Sequence, residues 1–351
     1  MIMSSTMSKL PHALGLAAGV ALDALLGDPR RGHPVAAFGR AAAALEQRDY
    51  ADSRARGLAH VAVCVGAVAA PAALLQRRLR GRPLLEFTAV AATAWAVTGA
   101  RSLRHISERA VVALTEDDLP AAREVLPSLC GRDPSGLGSK EIARAVIESV
   151  AENTSDAVVA PLLWGAAAGL PGLVAYRAIN TLDAMIGHHS PRYERFGWAA
   201  ARLDDVANWI PSRVTALLAV ACSPTRASTP TRACAPSRAP HRVNCAVEPT
   251  RACQRGDSTA ALDAWRAWRR YGAQHPSPNA GQCESAFAGA LGVRLGGTNV
   301  YHGVPETRPE LGDGRPPEPA DVRHAIRLSR NISIAAAALA ALAATAKARL
   351  R

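Results

Sequence analysis

Apolar residues in this chain follow two patterns. In the first they fill whole runs, at about 12–26, 58–75, 84–100, 157–176, 206–222 and 332–346. In the second they recur at helical spacing. Ile142, Ala143, Val146, Ile147 and Val150 form one such stripe and predict an amphipathic helix. Ser139 is suited to cap its start, and Glu141 falls in the first turn, where the helix dipole favours an acid. Strand signals are nearly absent, so the predicted fold is mainly α.

A spanning helix wants about 20 apolar residues, with about 17 as the lower limit. The runs at 58–75 and 84–100 meet or approach this, and the R-R-L-R-G-R-P linker between them makes a helical hairpin. The first run is short and carries Asp23. The fourth is interrupted by Gly165, Gly169, Pro171 and Gly172, as in a broken or re-entrant segment. The fifth holds Asn208, Pro211 and Arg213, and the last is Ala-rich with a basic tail. This pattern predicts a polytopic integral membrane helical protein with about 4–6 apolar segments and interfacial loops. An Ala-rich soluble bundle that buries the same runs is the competing architecture.

Residues 223–257 break the pattern. P-T-R-A occurs three times there, among Pro, Ser, Thr and Arg, and large apolar residues are almost missing. Such a segment cannot offset its chain entropy by burial and reads as a disordered insertion in an otherwise single domain spanning 1–351. A second Pro-rich linker, 303–320, precedes the last run.

Composition narrows the classes further. The 351 residues carry a net charge of +12, nearly all of it from arginine, which suits anionic headgroups or phosphorylated substrates. No basic-aromatic interleaving or zinc-finger spacing accompanies it, so nucleic acid is not an expected partner. Seven cysteines without a C-x-x-C pair argue against a disulfide framework and a structural zinc site. The first residues lack the pattern of a cleaved signal peptide.

Candidate chemistry lies between and beside the apolar runs. Lys140, Arg144, Glu148, Glu152 and Asp156 follow at steps of four and form one polar stripe that ends in carboxylates. Like charges so spaced repel unless a metal or a cationic substrate group lies between them. An Arg144–Glu148 surface pair with a solvated helix end is the plainer reading. L-G-D-P-R-R-G-H-P offers Asp28 and His33 as ligands or acid-base groups beside rigid proline turns. Tyr176, Asn180, Asp183 and Gly187 share a helical face. The stretch that follows supplies Arg192, Tyr193, Arg202, Asp204, Asp205, Asn208 and Arg213. Interleaved arginines and carboxylates suit phosphate together with Mg²⁺, or an ion-pair network at a membrane surface. S-P-N-A-G, holding Ser277 and Asn279, is a turn into a small-residue helix with Glu284 in its first turns and Arg294 after it. It lacks the Lys-Ser/Thr of a Walker loop.

Taken together these strings resemble the adenosylcobinamide-phosphate synthase family of cobalamin biosynthesis, the CobD/CbiB family, over nearly the whole chain. The likeness is carried by L-G-D-P-x-x-x-H-P-V, E-S-V-A-E-N-T-S-D-A-V-V-A-P-L, Y-R-A-I-N-T-L-D-A-M-I-G, R-Y-E-R-F-G-W-A-x-A-R-L-D-D-x-x-N-W-I-P-x-R and S-P-N-A-G, in one order. Gln282-Cys283 stands where the family usually has Trp-Pro or a similar pair, and the P-T-R-A insertion is a second departure.

The resemblance implies an integral membrane protein. The arginine-rich loops favour a site facing the cytoplasm. A single site requires that some apolar segment fail to cross, which predicts about four true crossings in a multi-pass protein of the cell membrane. The resemblance also implies amide ligation of (R)-1-amino-2-propanol, or its O-phosphate, to the corrinoid carboxylate of adenosylcobyric acid, with ATP and Mg²⁺. Neighbouring corrinoid-pathway enzymes are further possible partners. Within that chemistry Glu148, Glu152 and Asp156 are candidates for Mg²⁺, and His33, Glu152, Asn153, Asp156 and Asp205 for catalysis. Arg192, Arg202 and Arg294 are candidates for phosphate. Asp28, Asn180, Asp183, Asp204, Asn208, Ser277 and Asn279 complete the expected substrate set. A transporter or a non-catalytic scaffold would keep the same motifs for other ends.

Overall fold

The structure, a computed structural model, describes residues 10–28, 32–224, 259–301 and 304–346. The expected insertion at 223–257 therefore falls, from residue 225 on, outside the described residues.

In chain order the helices are α1 (Leu10–Leu26), α2 (Pro34–Asp49), α3 (Arg54–Leu79), α4 (Pro83–Val97), α5 (Ala100–Thr115), α6 (Leu119–Val125) and α7 (Ser139–Thr154). After α7 a wide π-helical turn, Ser155–Val159, leads into α8 (Ala160–Ala168). Then come α9 (Leu170–Leu182), a second π-helical turn at Asp183–Gly187, α10 (Trp198–Ala207) and α11 (Trp209–Ala221). The described chain resumes with α12 (Ala260–Tyr271) and α13 (Ala280–Leu291). A hairpin of β1 (Leu295–Tyr301) and β2 (Val304–Leu311) precedes α14 (Pro319–Ala346).

The apolar runs map onto helices of unequal reach. α3, with 26 residues, and α14, with 28, are long and apolar enough to cross a membrane. The run at 84–100 ends sooner than expected: α4 has 15 residues and stops at Thr98–Gly99, giving about 22 Å of rise. α1 has 17 residues and α11 only 13. α1 and α4 lie close together because Gly15 and Gly19 carry no side chain where Val90 and Ala94 pack.

The fourth run folds back on itself. At Gly169 the backbone takes φ 77°, a conformation that favours glycine, and α8 gives way to α9. The Leu170 amide there donates to Gln76 Oε1 at 2.7 Å, which fixes the turn beside the C-terminal end of α3. From there α9 runs back along α3, and its last residue, Leu182, packs in one buried cluster with Val61 and Cys64. One core runs through the molecule, with Leu16, Ile147, Leu162, Leu173, Phe287 and Ile332 all fully buried.

The expected linker at 303–320 contains a strand. β2 pairs antiparallel with β1, from Tyr301↔Val304 at the turn to Leu295↔Leu311, whose side chains are buried in the core. Turn residues and prolines hide it from a period-two reading. A bulge at Gly296, with φ 83°, shifts the register near its base.

Candidate active site

The polar stripe of α7 serves two purposes. Its first part clamps the hairpin. Arg144 donates to the Gly296 and Thr298 carbonyls and to Asn299 Oδ1, and Glu148 Oε1 accepts the Gly296 amide at 2.6 Å. The other Glu148 oxygen pairs with Arg132, and both side chains are buried. This replaces the expected Arg144–Glu148 surface pair, and it occupies Glu148, which the Mg²⁺ expectation had included. Ser139 is the first residue of the helix, with Gly138 in the cap position.

Beyond Glu148 the stripe opens into a cleft of about 890 Å³. Glu152 lines this opening and keeps an exposed side chain there. The π-helical turn that follows takes one residue more than an ordinary helical turn, and Asp156 within it lines the cleft; such turns recur at functional sites. The second π-helical turn does the same for Asp183 at the end of α9.

Asn180, one turn before Asp183, bridges two acids: its Nδ2 lies 3.4 Å from Asp156 Oδ2 and 3.5 Å from Asp204 Oδ1. Asn208 Nδ2 donates to Asp204 Oδ2 at 2.9 Å, and Asn208 Oδ1 accepts from the Tyr176 hydroxyl at 2.8 Å. From the other side, Asn279 Nδ2 donates to the Asp205 carbonyl at 2.8 Å while its Oδ1 accepts from Ser212 Oγ. Strings from four distant parts of the chain are therefore interlocked around one cleft.

Burial and mutual repulsion set its electrostatics. Burial, then the Asp204, Glu152 and Asp183 charges, push Asp156 well above the ordinary carboxylate range. Burial, then Asp204 and Asp205, raise Asp183 to about 7. Asp204 is raised to about 6 by burial, although Asn208 and Asn180 oppose the shift. Glu152, though its side chain reaches solvent, is raised too, chiefly by desolvation among the surrounding protein groups.

The cleft also gathers Asp205, Asn208, Ser277 and Asn279. Arg202 lines it and approaches Asp205 at 3.7 Å. Other expected residues stand elsewhere. Asn153 is tied to its own helix through the Ser149 carbonyl. Arg192 is engaged by Glu46 at 2.9 Å and stacks over Tyr50, and Arg294 pairs with Glu310 on the exposed side of the hairpin. Asp28 accepts from Ser102, and His33 caps α2 through Nδ1, which takes the Val35 amide. None of these five lines the cleft.

Among the residues that joined the site unannounced are Arg54 at the start of α3, His188, and Glu306 and Arg308 on β2. The strand carrying the last two was itself unexpected, so spacing gave no signal. His188 directly follows the Y-R-A-I-N-T-L-D-A-M-I-G string, whereas Arg54 stands apart from every string and gave no signal. The unusual Gln282-Cys283 pair has a local role. Gln282 Oε1 accepts from Trp268 Nε1 at 2.8 Å, its Nε2 donates to the Gly272 carbonyl at 2.7 Å, and Cys283 packs against the Ser212 carbonyl.

Hard oxygen donors crowd the cleft floor, and their mutual repulsion is what a divalent cation relieves. Among the described residues no three acidic, histidine or cysteine groups are yet drawn together closely enough to hold one.

Residues 16–329 match the protein family described as CobD/Cbib protein. A Mycobacterium tuberculosis protein named cobalamin biosynthesis protein CobD is 51% identical over 331 residues, covering 94% of this chain and 95% of that one. Proteins of the same name from Geobacter metallireducens and Rhodobacter capsulatus are 40% and 38% identical. They cover 93% and 89% of this chain, and 95% and 90% of their own. No solved structure matches. On a family match that takes in all five motif strings and relatives of this identity and coverage, the chain belongs to the CobD/CbiB family.

Proposed function

We propose that this protein acts in cobalamin biosynthesis as an ATP-dependent amide ligase, joining (R)-1-amino-2-propanol or its O-phosphate to the carboxylate of adenosylcobyric acid. The observation that carries the reading is the convergence of four of the five motif strings on one cleft lined by carboxylates and guanidinium groups.

A carboxylate is a poor electrophile. Transfer of a phosphoryl group from ATP to its oxygen gives a mixed anhydride, which the amine attacks with loss of phosphate. Arg202, Arg54 and Arg308 line the cleft where anionic groups would be neutralised. The floor suits the cationic amine, which must lose a proton before it can attack. Asp183, raised to about 7, has the proton affinity that task needs near neutrality. It replaces His33, which caps a helix outside the cleft, and Asp205, which faces Arg202. Asp156 and Asp204, with Glu152, form the donor set that would hold Mg²⁺, whose charge would neutralise phosphate oxygens.

The protein sits in the membrane in this reading. α3 and α14 are the candidate spans, and α3 leaves Leu58, Val63, Leu74 and Leu75 exposed, a face that lipid would cover. The test is conversion of adenosylcobyric acid by membranes containing the chain, with each amine, followed by mass spectrometry. Amide product that requires ATP supports the reading; its absence with both amines overturns it.

A further inference from the structure

A groove of about 750 Å³ runs beside the cleft and shares Arg202, Asp205 and Pro278 with it. Leu163, Trp164 and Ala167 on α8 form one wall, and Val206, Trp209 and Ile210 at the α10–α11 corner form the other. Among the described residues its charged lining is Arg202 and Asp205. The groove is therefore apolar along α8 and charged where it meets the cleft. Two contacts set its level. Arg54, at the start of α3, lies 5.3 Å from the ring centre of Trp198 at the start of α10. Trp164 Nε1 donates to the Ala207 carbonyl at 3.0 Å and pins the end of α10 to α8.

The corner thus lies near the level at which α3 enters the bilayer. Arg213 stacks over Trp209 there at 4.2 Å, and tryptophan beside arginine suits a membrane interface. From this level α8 runs toward Gly169, beside the far end of α3, and the groove follows it as far as Ala167. Val206 is 72% and Ile210 61% exposed, an apolar surface that lipid covers better than water. The charged end is equally informative. Arg202 and Asp205, one turn apart, approach only to 3.7 Å, beyond hydrogen-bond reach, and Arg202 is largely exposed. Asp205 holds Asn279 through its backbone carbonyl, which leaves the carboxylate to face Arg202 and a ligand. A loose pair of opposite charges suits a group that carries both, a phosphate for the guanidinium and an ammonium for the carboxylate.

We infer that this groove is a binding site for a phospholipid with an ethanolamine headgroup. One acyl chain lies along α8, the phosphate meets Arg202 and the primary ammonium meets Asp205. A purely anionic headgroup brings no cation to Asp205, and a choline headgroup has no N–H to donate to it. The site rests on the reading that the protein sits in the membrane and is independent of the ligase chemistry.

Tryptophan fluorescence of the full chain, purified in a neutral detergent, reads this directly. The probes are phospholipids brominated on identical acyl chains, with ethanolamine, choline or glycerol headgroups, because bromine quenches tryptophan only at close range. The ethanolamine lipid should quench saturably, and the other two should need at least about tenfold more, as expected for one charge-assisted hydrogen bond. Trp164→Phe with Trp209→Phe should remove the saturable quenching, whereas Trp265→Phe on α12 should keep it. Asp205→Asn should erase the preference for ethanolamine over choline, and Arg202→Gln should weaken both. Phenylalanine keeps a ring at each position, and the two charged side chains reach the surface, so these variants test binding rather than folding. Equal quenching by all three lipids, a preference that survives Asp205→Asn, or saturable quenching in the double tryptophan variant overturns the site. Aminopropanol O-phosphate carries the same two charges without a chain. If it binds through Arg202 and Asp205 while the ethanolamine lipid shows no preference, the pair serves a soluble amine and the lipid site falls. Recovery of the chain in the soluble fraction without detergent would overturn the membrane reading itself. A membrane-bound chain without headgroup preference loses only the site.

Discussion

Asp156 and Asp204 face one another across a single amide: Asn180 Nδ2 is 3.4 Å from an oxygen of the first and 3.5 Å from an oxygen of the second. One donor shared at these lengths cannot neutralise two acids, and the excess negative charge appears as raised proton affinity in both. Such an arrangement costs stability and persists where function requires it. Asp156→Asn removes one charge from the cluster. We expect the variant to melt at a higher temperature than the wild type while turnover falls at least about 100-fold. Asn153→Ala, three residues earlier on the chain, should keep near-normal turnover because Asn153 is tied to its own helix. Equal losses in the two variants would sink the distinction.

The same repulsion fixes the direction of the pH response. Asp183 and Asp204 bind protons more tightly in the folded chain, at about 7 and about 6, than at the ordinary 3.8. The native state therefore holds more protons than the unfolded one between these limits, and their contribution to stability falls as pH rises through that window. A divalent cation offsets the charge that appears. The melting temperature in chelator should decline from pH 5 to pH 8, and added Mg²⁺ should raise it more at pH 8 than at pH 5. A Mg²⁺ effect that is absent at pH 8, or larger at pH 5, counts against a cation on this floor.

Much of the site could be read before the fold was known. Asn180, Asp183, Asp204, Asn208 and Asn279 stand at polar positions beside apolar helical faces, and the cleft uses each of them. What failed was the continuation of a straight period. Steps of four from Lys140 imply one continuous row, but Arg144 and Glu148 are drawn off by the hairpin and the π-helical turn re-aims the chain at Asp156. A wide turn leaves no mark in a hydrophobic pattern. Arg192 and Arg294 failed for another reason: each finds a nearer carboxylate, Glu46 or Glu310, that spacing does not bring together. Likewise the re-entrant fourth run was legible from its glycines, whereas the strand at Val304–Leu311 was masked by its prolines.

Glu148 tests the structural role that replaced the metal role. Glu148→Gln takes the carboxylate charge out of its buried pair with Arg132, and breaking comparable pairs costs about 3–5 kcal/mol. We expect a large drop in melting temperature, unrelieved by saturating Mg²⁺. The double variant Arg132→Met with Glu148→Met should recover much of that stability. It should remain poor in turnover, because the Gly296 amide loses its acceptor and the hairpin carrying Arg308 loosens. Rescue of the single variant by Mg²⁺ would restore Glu148 to the metal set.

The last expectation concerns sidedness. Arg54, at the start of α3, lines the cleft, and Leu79 ends the same helix about 39 Å away. If α3 crosses the bilayer, the cleft and the arginine-rich turn at 80–82 lie on opposite faces. The α8–α9 turn at Gly169 lies on the side of that arginine-rich turn, whereas Asp156 before α8 and Asp183 after α9 line the cleft with Arg54. We propose that the face holding the cleft is cytoplasmic, where ATP is available. The four arginines at 77, 78, 80 and 82 pull the other way under the positive-inside rule, which makes the sidedness of α3 the deciding measurement. Single cysteines at positions 81 and 188, in a background freed of the native seven, can be probed with an impermeant thiol reagent in intact and inverted vesicles. Position 188 should react only from the cytoplasmic side and position 81 only from the other. Reaction of both from one side means that α3 does not cross. Reaction of 188 from the outer side alone keeps the crossing and turns the cleft away from the cytoplasm.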